Sequence, residues 1–160
     1  IFLDPMCGAG TILIERALTN RYRLLIGGDI RKKAVHHTLT NFGSKHQPRK
    51  IFQWDATHIP LNDLSVDRVG TNLPWGRHFG SLKENQNLYA DVLKEIHRVL
   101  KPGGRAVCLT SDRTCFKKVL QWITGINLVN RSKEIVVLGR RADIFVLEKP
   151  TFFEKHKYET

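Results

Sequence analysis

The sequence is poor in what a disulfide framework or a zinc site needs. Its 160 residues hold three cysteines, Cys7, Cys108 and Cys115, an odd number without a CxxC pair. Neither a disulfide scaffold nor a bound metal is expected, and reduced thiols in a cytoplasmic setting are. Long apolar runs are missing too. None approaches the roughly 20 residues of a membrane helix, and no secretory signal opens the chain. There is no internal repeat, low-complexity block or linker. Acidic residues are scarce: 15 Asp and Glu stand against 26 Lys and Arg, a net charge of +11. Such a field favours a polyanionic partner, RNA or DNA first, with an ordinary soluble basic enzyme as the alternative. An initiator methionine is absent as well. The chain opens at Ile1 inside an expected strand, which reads as a fragment preceded by something else.

What is present suits one globular domain over residues 1–149, followed by a polar tail over 150–160. Hydrophobic residues make up 41% and charged residues 26%, values of a chain with a real core. Short β-branched runs alternate with helical periodicity, the pattern of βα units and a parallel sheet. Strands are predicted over 1–4, 24–29, 50–54, 66–71 and 105–110. Helices are predicted over 11–19, 33–42, 87–100 and 113–123, with "KPGG" (101–104) ending the third. Two further strands, 134–138 and 143–148, flank "GRRA" as a hairpin. The expected fold is α/β: a doubly wound, mostly parallel, seven-stranded Rossmann-like sheet closed by a C-terminal antiparallel hairpin. In open sheets of this kind ligands sit beyond the carboxyl ends of the strands.

Those ends carry unusual residues. "DPMCGAG" (4–10) is a tight turn in which Gly8 and Gly10 let backbone approach a ligand, or simply make the corner. The third glycine of a dinucleotide fingerprint is missing, since Leu13 occupies its place. Asp29 ends the second strand, where a carboxylate accepts ribose hydroxyls, caps the next helix, or does both. Asp55 follows the third strand, either as a turn former or as an acceptor for an adenine amino group, with Ala56 beside the ring. "TNLPWG" (71–76) follows the fourth. There Asn72 offers a side-chain carbonyl, Pro74 fixes the backbone, and Trp75 offers a flat face or plugs the sheet edge. Two carbonyls aimed at one planar amine would orient it and favour a pyramidal nitrogen during alkylation.

"DPMCGAGTILIE" (4–15) and "TNLPWG" at this spacing resemble the THUMP-associated tRNA guanine-N2 methyltransferases, a branch of the Rossmann-like S-adenosylmethionine-dependent enzymes. The resemblance runs from Asp4 to about Glu148. It implies an S-adenosyl-L-methionine cofactor, with Asp4, Pro5, Gly8 and Gly10 at its methionine end, Asp29 at the ribose, Asp55 and Ala56 at the adenine, and Asn72 touching both cofactor and substrate. It implies catalysis by Asn72, Pro74 and Trp75 on the exocyclic N2 amine of a guanine, with tRNA as the expected substrate. An adenine or a glutamine amide as substrate, or a non-catalytic basic RNA-binding module, are the alternatives. The resemblance also implies an N-terminal RNA-binding domain in the same chain and, among eukaryotic relatives, a small activating protein.

A purine inside a duplex cannot enter such a pocket, so the target base is expected to be flipped or unpaired. The polar stretch "GRHFGSLKENQN" (76–87) suits a substrate lid. Arg77, His78 and Lys83 there, Arg113, Lys117 and Lys118 after the fifth strand, and Arg140 and Arg141 in the hairpin turn are expected to form an RNA-facing rim, although each taken singly is an ordinary solvated charge.

Overall fold

Seven strands form one sheet whose order, β3-β2-β1-β4-β5-β7-β6, reverses direction between β1 and β4. The computed structural model describes residues 1–75, 82–137 and 139–151, without the side chains of residues 82–84. The elements are β1 (Phe2–Asp4), α1 (Thr11–Thr19), β2 (Leu25–Asp29), α2 (Lys32–Phe42), β3 (Arg49–Gln53), β4 (Val66–Asn72), α3 (Leu82–Val99), β5 (Leu100–Thr110), α4 (Arg113–Leu120), β6 (Asn127–Val137) and β7 (Arg140–Glu148). Strands β1 to β5 pair in parallel. Strand β7 is antiparallel to both β5 and β6, so the hairpin tip returns to the carboxyl edge.

The larger core lies where α3 and α4 cover one face, with Leu93, Ile96, Phe116 and Val119 packed on Val69, Ala106 and Phe145. A smaller cluster, Cys7, Leu13, Leu25 and Phe42, lies under α1 and α2. Burial pushes the thiols of Cys7 and Cys108 up to about 12, so they pack as small apolar groups and do not react as thiolates. Close approach dictates Gly28: a Cβ there would stand 1.9 Å from the Trp54 ring.

The structure corrects five boundaries. Helix α3 begins at Leu82, so the second half of the expected lid is helical; residues 76–81 lie outside the described residues. "KPGG" belongs to β5 as an irregularity between the Val66–Leu100 and Arg68–Arg105 pairs, held to the end of β7 by Gly103 N–H on Lys149 O and Lys149 N–H on Gly104 O. Strand β6 begins at Asn127, seven residues before the expected start. As an edge strand it exposes most of its residues, so no period-2 apolar signal marks it. The hairpin turn is also displaced. Val137 pairs with Arg140, which makes Arg140 and Arg141 the first residues of β7 and not part of the turn. Helix α4 ends at Leu120, three residues before the expected end.

Candidate active site

A cleft of about 730 Å³ opens at the carboxyl edge of the sheet, within the roughly 300–1,000 Å³ of small-molecule sites. Pro5 and Met6 line it after β1, Asp29, Ile30 and Arg31 after β2, and Asp55 and Ala56 after β3. Asn72, Leu73, Pro74 and Trp75 form its wall after β4, completed by Leu88 of α3 and by Val137 and Arg140 at the hairpin.

Asp29 ties two of these loops together. Its Oδ2 accepts the Gly8 N–H at 3.0 Å, and its Oδ1 accepts both the Arg31 N–H at 3.0 Å and Arg31 Nε–H at 3.1 Å. A carboxylate has about four lone-pair positions, so among the described residues one is left, on Oδ2. Its bonds toward α2 end on Arg31, the residue in the N-cap position of that helix. Trp54 supports the same corner from below. Buried against Gly28, it donates Nε1–H to Pro5 O at 3.0 Å and stacks on Phe52.

Asp4, Gly8 and Gly10 do not line the cleft. Asp4 is 1% exposed and lies behind Pro5 and Met6, accepting the Met6 N–H at 3.2 Å. Burial pushes its carboxyl up to about 7, against the pull of that N–H. Gly10 is required by packing: its φ is 84° and a Cβ would stand 2.8 Å from Thr38 Cγ2. Gly8, with φ 55°, has open space where its side chain would be. The close approach expected at Gly10 is therefore to α2.

Asp55 is exposed, and its Oδ1 accepts the Thr57 N–H at 2.9 Å and the Thr57 hydroxyl at 2.8 Å. These bonds, the backbone one first, hold its carboxyl below the usual range. The loop carrying it is stapled to α3. Glu95 accepts the Ile59 N–H at 2.7 Å, while Arg98 donates to Ile59 O, Leu61 O, Asp63 and Glu95. Ala56 and Ile59 are buried beside it.

The β4 corner is built around two carbonyl oxygens. Leu73 is buried, and its N–H bonds Leu109 O at 3.0 Å, which keeps the corner in register with β5. Exposed Asn72 accepts the Trp75 indole N–H on Oδ1 at 2.9 Å. The Pro74 carbonyl accepts the hydroxyl of Tyr89, which is wholly buried in α3. A carbonyl oxygen has two lone pairs, so among the described residues each of these acceptors has one donor and one position unused.

The expected basic rim separates into parts. Arg140 lines the cleft and is exposed. Arg141 instead faces Glu134 at 3.7 Å, and Arg113 lies 3.4 Å from Glu134 and 3.9 Å from the buried Asp143. Burial works to raise the Asp143 carboxyl, but the Glu134 N–H and Arg131 outweigh it and hold it low. Lys117 and Lys118 are exposed on α4 away from the cleft lining, with Lys118 over the Trp122 ring. Arg77 and His78 lie outside the described residues, as does the side chain of Lys83.

The profile of UPF0020, described as "RMKL-like, methyltransferase domain", matches residues 1–135. The chain belongs to this methyltransferase-domain family. Among its relatives is the protein named tRNA (guanine(6)-N(2))-methyltransferase THUMP3 of Homo sapiens, 40% identical over 92% of this chain and 32% of that protein. Another is the U6 snRNA (guanine-N(2))-methyltransferase THUMPD2 of Bos taurus, 32% identical over 70% of this chain and 22% of that protein. The crystal structure of TrmN from Thermus thermophilus superposes with a TM-score of 0.80 at 31% identity, covering 92% of this chain and 43% of that one. The chain thus spans about a third of the length of the curated relatives it matches first.

In this UPF0020 domain, inspection of the sequence missed Ile30, Arg31, Trp54, Tyr89, the Glu95–Arg98 pair and Val137. Ile30 and Arg31 directly follow a strand-ending acid, a position that carries some signal. Tyr89 and Arg98 touch the site loops only through the fold, and nothing local marks them.

Proposed function

We propose that this UPF0020 domain is the catalytic part of an S-adenosyl-L-methionine-dependent RNA methyltransferase that modifies the exocyclic N2 amine of a guanine, with tRNA as substrate. The observation carrying the proposal is that Asn72 and Pro74, whose Oδ1 and backbone oxygen each have one donor among the described residues, line the same cleft as Asp29 and Asp55.

The residues fit a nucleoside cofactor. Asp29 Oδ2 retains one position for a sugar hydroxyl, which replaces the expectation that it accepts both. Asp55 is ionised, with Oδ2 left for an amino group, and Ile30 and Ala56 supply apolar surface between the two acids. Pro5 and Met6 border the remaining end. When bound, S-adenosyl-L-methionine supplies an electrophilic methyl group on a positively charged sulfur.

The rest of the chemistry is positioning. A guanine amine has its lone pair delocalised into the ring and is a poor nucleophile. Its two N–H groups donate to Asn72 Oδ1 and Pro74 O, which turns the nitrogen toward the methyl carbon and favours pyramidal geometry. Asn72 Oδ1 and Pro74 O would stabilise the positive charge that develops on the nitrogen as it takes up a methyl group, and would hold the amine until its proton leaves to water. Preorganised dipoles of this kind are worth about 2.7–4 kcal/mol each. Trp75 presents a ring face for base stacking, worth about 1–3 kcal/mol, and Arg140 stands at the rim for a backbone phosphate.

An RNA-binding region elsewhere in the full protein, a small activating partner and a cytoplasmic location complete the proposal. Its test is reaction of the full protein with unmodified tRNA and labelled cofactor, followed by nucleoside mass analysis. N2-methylguanosine is expected. Methylated adenosine, or label found in protein, would move the clamp to another planar amine; cofactor binding without transfer would make the domain a binding module.

A further inference from the structure

We propose that Tyr89 and Thr110 are positioning residues of the clamp: a directional chain of hydroxyls, Thr110 to Tyr89 to the Pro74 carbonyl, fixes where the second acceptor stands. The inference rests on the guanine-amine reading above and deepens it.

The direction of the chain follows from counting hydrogens. Tyr89 has one hydroxyl hydrogen, and it goes to the Pro74 carbonyl, which can only accept. The 2.8 Å contact between Tyr89 Oη and Thr110 Oγ1 must then be donated by Thr110. Thr110 Oγ1 in turn accepts the Asp112 N–H at 3.0 Å. Burial pushes the Tyr89 phenol above its ordinary range, so it remains a donor throughout the working pH range. Every link is thus filled once and in one sense, and such chains strengthen cooperatively.

Each link sits on something rigid. Tyr89 is 0% exposed in α3, its ring edge-on to Phe116 with centroids 6.2 Å apart. Thr110 is 0% exposed at the end of β5 and pairs with Asp143 of β7. Asp112 caps α4 by accepting the Cys115 N–H at 3.2 Å. The Pro74 carbonyl, by contrast, belongs to a half-buried corner residue whose ring fixes φ but not the ψ rotation that aims the carbonyl. A hydroxyl chain from the sheet end therefore sets its position, and sub-ångström placement matters for transfer rates.

The test uses the full protein and unmodified tRNA in single-turnover methyl transfer. Tyr89→Phe keeps the packed ring and removes the donor; Thr110→Val keeps the shape and removes the hydroxyl; Thr110→Ser keeps the hydroxyl. Tyr89→Phe and Thr110→Val are each expected to slow transfer roughly 10- to 100-fold, with cofactor and tRNA affinities within about twofold of the parent. The double variant should be no slower than the slower single one, since both break one chain. Thr110→Ser should transfer at nearly the parent rate. Multiplicative losses, an unchanged rate in Tyr89→Phe, or a loss that merely tracks the folded fraction would overturn the inference while leaving the guanine reading intact. A parent protein that leaves guanine unmethylated overturns the reading and this inference with it.

Discussion

The indole N–H of Trp75 donates to Asn72 Oδ1 at 2.9 Å, so the proposed stacking surface and the proposed first clamp acceptor are one unit. Asn72→Ala is expected to lower the methyl-transfer rate about 10²- to 10³-fold, the usual cost of removing one preorganised contact. Trp75→Phe should retain stacking yet lose part of the rate, because Asn72 is no longer held. Trp75→Ala should in addition weaken substrate binding by the stacking contribution of about 1–3 kcal/mol. Single-turnover kinetics over a range of RNA concentrations separates these effects, and an Asn72→Ala protein as fast as the parent would reduce the corner to a turn.

Asp29 should act on the cofactor. Losing a hydrogen bond to a charged acceptor costs roughly 1.5–3 kcal/mol, or about 10- to 150-fold in affinity. Asp29→Ala should show at least this loss by calorimetry, because it also releases Gly8 and Arg31 from their shared anchor. Unchanged affinity would remove Asp29 from the site.

Arg140 and Arg141 are adjacent in sequence but differ in role. Arg140 faces the cleft, whereas Arg141 is opposite Glu134. Arg140→Ala is expected to reduce the slope of log affinity against log salt for RNA by about one phosphate contact. Arg141→Ala should change it much less. Equal effects would mean that the Glu134 pairing does not persist in the complex.

Asp4 sets a pH dependence whose sign is fixed. Its carboxyl is pushed up to about 7 in the folded chain from an ordinary value of 3.8. Between these values the folded chain holds a proton that the unfolded chain has lost. This stability is fully present below about pH 4, disappears as pH rises to about 7, and is constant above. Asp4→Asn should remove the dependence, so the variant should gain on the parent as melting is followed from pH 4.5 to 7.5. A constant difference in melting temperature over that range would show that Asp4 titrates normally.

Much of the cleft was legible in the sequence because the side proposed for the cofactor is local. Asp29, Asp55 and Asn72 each end or directly follow an apolar strand, and strand ends in a parallel sheet converge on one edge. The seven-stranded sheet and its closing hairpin were legible for the same reason, from alternating strand and helix periods. The second half of the site was not. Val137 enters the cleft from an edge strand whose polar segment, Asn130 to Lys133, conceals its start. Tyr89 reads as one more apolar position of α3, and only the fold brings its hydroxyl to Pro74. Gly10 carried the right signal for the wrong neighbour: its missing Cβ makes room for Thr38 of α2.

The cleft is filled in from the two ends of the chain in a definite order. All of the surface proposed for the nucleoside comes from Pro5 to Ala56, whereas the wall opposite it is completed by Val137 and Arg140. On a ribosome, synthesis proceeds at roughly 5–20 residues per second, so the nucleoside surface emerges several seconds before its opposite wall. During that interval β4 and β5 lack their antiparallel neighbour, and the Asp143 partner of Arg131 has yet to be made. A nascent domain therefore passes through a stage in which it has the parts to hold a methyl donor but no finished place for a base.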